Sequence, residues 1–104
     1  MTEQTRDILI TGASLLGKGA TDIALSQGVI VGIGPDASGA LTDPRVIDAA
    51  GLIALPGLVD MHTHLRQPGG EDAETVFTGT RAAAVGGYTA VHAMANTTPT
   101  QDTA

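Results

Sequence analysis

The sequence predicts an α/β protein in which a run of β-strands precedes one βαβ unit. Three observations carry this. Residues 7 to 54 hold short apolar runs punctuated by glycine and proline, the pattern of strands and turns. Pro56-Gly57 then breaks the chain. Beyond it the character changes in the order strand, loop, helix, strand, which implies parallel strands joined by a right-handed crossover.

The first run, DILITGASLL, is apolar and ends in small and turn residues. TDIAL, SQG and VIVGIG read as strand, turn and strand, a hairpin with Gly28 at the turn. Residues 35 to 44, PDASGALTDP, form a loop by their Gly, Pro, Asp and Ser content. RVIDAAGLIAL is expected to supply a further strand pair with Gly51 between its members. This half is expected to be antiparallel.

After the break, LVDMHTHL is a strand, apolar at its start and polar at its end, followed by the loop RQPGG. Residues 72 to 85 are expected to be helical. Ala73, Val76, Phe77, Thr80, Ala83 and Ala84 lie on one broad stripe. Glu71, Asp72 and Glu74 would occupy the first turn, where negative charge suits the helix dipole. Gly86-Gly87 stops the helix. YTAVHAMA is the second strand, and NTTPTQDTA a loop. Polar residues gather at the C-terminal ends of both strands, the face on which α/β barrels carry their active sites.

Composition narrows the function. Hydrophobic residues make up 42% and charged residues 15%, which excludes a disordered segment. Phe77 and Tyr88 are the only aromatic residues of that kind, so a core must be built from Ala, Val, Leu and Ile. A net charge of -6 argues against nucleic acid or an anionic membrane as partner. There is no cysteine, hence neither a disulfide framework nor a thiolate metal site. The polar start MTEQTRD lacks the apolar core of a signal peptide, and no apolar run approaches a bilayer span. A cytoplasmic protein is expected.

The stretch VDMHTHLRQPG, residues 59 to 69, is the most informative. Alternate residues of a strand share a face, so His62 and His64 would lie about 6.7 Å apart along it. Two neutral imidazoles at that separation can converge on one zinc-like ion. Asp60 and Arg66 have the same parity, and Arg66 projects toward the same cavity if the extended chain continues. Two ligands are an incomplete set, since even a catalytic zinc usually takes three from protein. His92 would lie roughly 13 Å below Asn96 in a regular strand, a depth that suits packing. Asp72 and Glu74 suit the helix start, and Met94 the core. Asn96 ends the second strand and can offer an amide donor to an anion, or serve as a turn residue.

LPGLVDMHTHLRQPG, TGTRAAAVGGYTAV and MANTTP, within residues 54 to 99, resemble the N-terminal portion of the bacterial dihydroorotases, in the amidohydrolase superfamily. Residues 7 to 53 are similar in kind to that family's β-sandwich segment, with weaker motifs. The resemblance implies a β-sandwich segment over residues 1–55 and the start of a (β/α)8 barrel over 56–104. It implies one or two zinc ions, with His62 and His64 as ligands to one of them. Arg66 and Asn96 would hold the substrate carboxylate, and no catalytic acid or base would lie within this chain. The implied activity is the interconversion of N-carbamoyl-L-aspartate and L-dihydroorotate in pyrimidine synthesis. Partners would be that small substrate, further copies of the enzyme and aspartate carbamoyltransferase. Many members read Met-Pro-Asn-Thr where this chain reads Met94-Ala95-Asn96-Thr97.

Relatives acting on uncharged rings, such as dihydropyrimidinases, hydantoinases and allantoinases, have no comparable need for Arg66. They are the alternative, as is a non-catalytic β-rich binding module. A (β/α)8 barrel needs about 250 residues. The 104 residues are therefore expected to be an N-terminal fragment or a truncated product, inactive alone.

Overall fold

The computed structural model describes residues 6–103. They form two compact units, divided between Leu55 and Pro56.

The first unit contains β1 (Ile8–Leu15), β2 (Ala20–Ser26), β3 (Val29–Ile33), a 3-10 turn (Ala37–Ala40), β4 (Arg45–Asp48) and β5 (Ile53–Ala54). The sheet order is β3-β2-β1-β4, with β5 also on β1. β1, β2 and β3 form an antiparallel meander. Gln27 and Gly28 make its second turn with φ of 49° and 79°, the left-handed pair that matches strand twist in a two-residue hairpin.

The expectation of a wholly antiparallel first half is corrected, because β4 and β5 both run parallel to β1. They do not pair with each other across Gly51. Residues 45–48 pair with Ile8–Thr11, and residues 53–54 with Ser14–Leu15. The chain leaves β3 at one edge, crosses residues 34–44 and returns on the other edge in the direction of β1. Apolar patterning is the same for a hairpin and for such a crossover, so it could not separate them.

Between the two short strands the register against β1 slips by two residues, from Thr11 opposite Asp48 to Ser14 opposite Ile53. β1 is irregular between Ile10 and Ala13. Gly12, with φ 72°, sits where a Cβ would lie 3.6 Å from the Ala50 Cα. Its amide donates to Asp22 Oδ1 at 3.0 Å, so the bulge leaves no orphan donor.

The core of this unit is small and aliphatic, as the near absence of aromatics requires. Leu9, Ala24 and Ala37 pack together, with Leu41 against them. Ala37 comes from the crossing segment, which thus covers one face of the sheet. Gly32 admits it closely: a Cβ there would lie 3.3 Å from the Ala37 Cα.

The second unit contains β6 (Leu58–Thr63), α1 (Val76–Val85) and β7 (Tyr88–Ala93). β6 and β7 are parallel, and the strand–helix–strand order is the one read from the sequence. Gly57 is required at the entry to β6, because a Cβ there would overlap the Thr89 side chain.

The helix begins at Val76, not at residue 72. Thr75 is its N-cap and forms a capping box with Thr78. Ahead of it the Ala73 and Glu74 amides turn back onto the Gly70 carbonyl. Glu71, Asp72 and Glu74 therefore lie outside the first turn, which holds no acidic residue. Gly86 and Gly87 end the helix as expected, the latter with φ 87°.

The expected apolar stripe is also corrected. Gly79 is the buried helical residue, and Ala83 four positions on is half-buried. Phe77 is 68% exposed, with the Arg81 guanidinium 5.6 Å from its ring centroid. At 100° per residue Phe77 lies opposite Gly79 whereas Ala83 lies beside it, so a stripe that held both Phe77 and Ala83 spanned two faces. Among the described residues, no helix is long and apolar enough to cross a membrane.

Candidate active site

β6 ends at Thr63, so His62 is a strand residue and His64 the first residue beyond it. The extended strand stops two residues short of the expected Leu65. The two imidazoles still meet: their centroids are 5.1 Å apart and their planes inclined by 66°. That is closer than the strand spacing alone gives, because the rings lean together. Asp60 does not join them as a third ligand. Its Oδ1 accepts from the His62 amide at 3.0 Å, which braces the backbone at the strand end.

β7 delivers the other side of the site. The Met94 amide donates to the Thr63 carbonyl at 2.8 Å, which extends the strand pairing one residue past β7. Asn96 follows, and its Oδ1 lies 2.9 Å from His64 Nδ1. The following loop is then clasped to the one after β6, with the Thr98 amide donating to the Pro68 carbonyl at 3.0 Å.

Several residues that frame this site carry no functional signal in the sequence. Gln67 Oε1 accepts from the Val76 amide at 2.9 Å, which ties the loop after β6 to the start of α1. Gly69 has φ 99°, and a Cβ on it would lie 2.6 Å from the Thr98 carbonyl oxygen. Its amide donates to Glu71 Oε2 at 2.9 Å. Thr75 was findable, since Thr75-x-x-Thr78 has capping-box spacing. Gln67 was not, because its partner is nine residues away.

Arg66, two residues after His64, is exposed. The ion pair among the described residues is Arg6–Asp43 at 3.1 Å, so no carboxylate of this set occupies the Arg66 guanidinium. His92 is exposed, against the expectation that it packs. Met94 is half-buried, Asp72 exposed and Glu74 half-buried.

No group of three or more His, Cys, Asp or Glu side chains able to hold a metal ion exists among the described residues. The donor set here is two imidazoles with converging rings, one of them already hydrogen-bonded through Nδ1. That fits two corners of a zinc site and falls short of the three protein ligands a catalytic zinc usually takes.

Comparison with known proteins gives the fold first. An L-hydantoinase (dihydropyrimidinase) from Arthrobacter aurescens superposes with a TM-score of 0.66 at 26% identity, over 95% of this chain and 23% of that one. This is an α/β chain with the fold of a hydantoinase segment. The family described as dihydro-orotase-like matches residues 51–104, and the chain belongs to that family. It is 56% identical over 106 residues to a dihydroorotase of Leifsonia xyli subsp. xyli, across 100% of this chain and 23% of the relative. A dihydroorotase of Streptomyces coelicolor is 54% identical over 96 residues, across 92% of this chain and 22% of its own length. The chain thus spans about a quarter of the length of the curated relatives it matches.

Proposed function

We propose that this chain carries part of the active site of a zinc-dependent dihydroorotase, which adds water across the ring amide of L-dihydroorotate to give N-carbamoyl-L-aspartate, and the reverse. His62 and His64 would hold one zinc ion, and Arg66 with Asn96 the substrate carboxylate. Residues 1–55 would belong to a β-sandwich and residues 56–104 to the start of a (β/α)8 barrel. The observation that carries the reading is the convergence of the histidine rings at 5.1 Å, two residues before an exposed Arg66 that pairs with no carboxylate among the described residues, in a chain 50–56% identical to proteins named dihydroorotase.

The chemistry divides between metal and protein. Zinc, when bound, polarises the amide carbonyl and makes a nucleophile available near neutral pH. Arg66 presents a planar fork of donors that matches a carboxylate bidentately. The Asn96 amide adds a neutral donor. Together they orient the ring so that its amide faces the histidine pair, and orientation of that kind accounts for a large share of an enzymatic barrier reduction. The enzyme would work in the cytoplasm, as a homo-oligomer and in association with aspartate carbamoyltransferase.

A hydantoinase-type reading is favoured by one observation, the superposition on the Arthrobacter aurescens enzyme. A neutral ring leaves Arg66 without a function, which is why the carboxylate-bearing substrate is preferred. The test is a side-by-side assay of the full-length, zinc-loaded protein on dihydroorotate, dihydrouracil and hydantoin. Turnover of dihydroorotate alone is expected. Preference for either neutral ring would replace the dihydroorotase reading.

A further inference from the structure

We infer that Asn96 is a positioning residue for His64: its Oδ1 holds the proton on Nδ1, so that Nε2 presents its lone pair to the metal, while the amide NH2 stays free for the substrate carboxylate. The inference deepens the reading given above and rests on His64 being a metal ligand.

The two side chains are 2.9 Å apart through Nδ1 and Oδ1. A neutral imidazole has one donor and one acceptor nitrogen, so an acceptor at Nδ1 selects the tautomer with Nε2 unprotonated. Were the amide turned over, its NH2 would donate to Nδ1, and the proton would sit on Nε2, where it blocks coordination. Only the Oδ1 orientation is compatible with a metal at His64. Metal-bound histidines commonly donate their second N–H to such an outer partner, which fixes ring orientation and raises ligand basicity.

The contact is held from both sides. Met94 is anchored to Thr63 at 2.8 Å and Thr98 to Pro68 at 3.0 Å. Asn96 lies between these two backbone bonds, so its side chain is delivered to His64 by a loop fixed to the strand that carries the histidine. One asparagine thereby touches a metal ligand with its oxygen and offers its nitrogen to the substrate. The carboxylate site and the metal site share a residue.

Two substitutions separate the roles. Asn96→Asp keeps an oxygen acceptor for His64 but replaces the amide donor with a charge that repels the substrate carboxylate. Asn96→Ala removes both. Zinc affinity of the full-length protein, measured by competition with a chromophoric chelator, should fall about 10- to 100-fold in Asn96→Ala and stay near wild type in Asn96→Asp. KM for dihydroorotate should rise in both. In the metal-free wild-type protein, long-range 1H–15N correlation spectra should show His64 protonated at Nδ1. Protonation at Nε2, or wild-type zinc affinity in Asn96→Ala, overturns the inference. The spectrum decides the matter if Asn96→Ala does not fold. If the zinc and tautomer results hold while dihydroorotate is not turned over, the positioning role stands and the substrate assignment fails.

Discussion

Gly69 lies under the carbonyl of Thr98, at a place where a Cβ would come within 2.6 Å of that oxygen. The first atom an added methyl would meet is a backbone oxygen, so no flexible side chain can move aside to admit it. It joins the loop that follows the histidine strand to the loop that carries Asn96, next to the Thr98–Pro68 hydrogen bond of 3.0 Å.

Gly69→Ala should therefore disturb the site without touching any proposed ligand. Its φ of 99° is unfavourable for alanine, and the added methyl meets backbone. Destabilisation of more than about 1 kcal/mol is expected, with a larger loss in dihydroorotate binding than in zinc content. Thermal melts beside zinc analysis check this. A variant as stable as wild type with unchanged KM would contradict it.

Arg66 is expected to choose the substrate. Arg66→Lys keeps the charge and loses the bidentate fork, so activity should weaken and persist. Arg66→Met removes the charge on a similar stem. A charge-assisted hydrogen bond contributes about 1.5–3 kcal/mol, which converts to roughly 10- to 150-fold in kcat/KM. Zinc content should not change. Near wild-type kcat/KM for Arg66→Met would remove the carboxylate role.

His62→Ala and His64→Ala should each lower bound zinc sharply in the full-length protein, because each deletes a first ligand. Residues 1–104 prepared alone should show no zinc-dependent ring opening, since their described part gathers no three-ligand site. Measurable turnover by that polypeptide, abolished by chelation, would show the ligand set to be wider than the histidine pair.

Thr75→Ala tests the helix start. The Thr75 hydroxyl accepts from the Thr78 amide at 3.1 Å, and the Thr78 hydroxyl accepts from the Thr75 amide at 3.0 Å. Loss of the cap should cost about 1 kcal/mol. The Val76 amide keeps its bond to Gln67, so the loop beside the histidines should hold. Hydrogen exchange should therefore quicken at Thr78 and not at Val76.

The elements were legible where local chemistry decides them. The hairpin turn at Gln27-Gly28, the Gly86-Gly87 helix stop and the strand–helix–strand order of residues 58 to 93 follow from residue types a few positions apart. The helix start was misplaced because acidic residues at 71 to 74 also suit a helix, whereas the Thr75 capping box wins by satisfying two amides at once. The direction of β4 and β5 was not legible, because parallel and antiparallel partners impose the same apolar alternation on a short strand.

By itself the sequence determined the spacing of His62 and His64, since strand periodicity puts alternate residues on one face whatever surrounds them. It also determined that the chain's core would be aliphatic and that Arg66 would be available near the strand end. Only the tertiary structure decided which residues meet across the two strands. Asn96 reaches His64 over 32 positions of chain because parallel pairing aligns the ends of β6 and β7, and backbone bonds at Thr63 and Pro68 fix both loops there. Likewise only packing decided that helix α1 turns Gly79 inward and leaves Phe77 in solvent. Periodicity gives the angle between two helical residues, but the neighbour that covers one of them is set by where the chain returns.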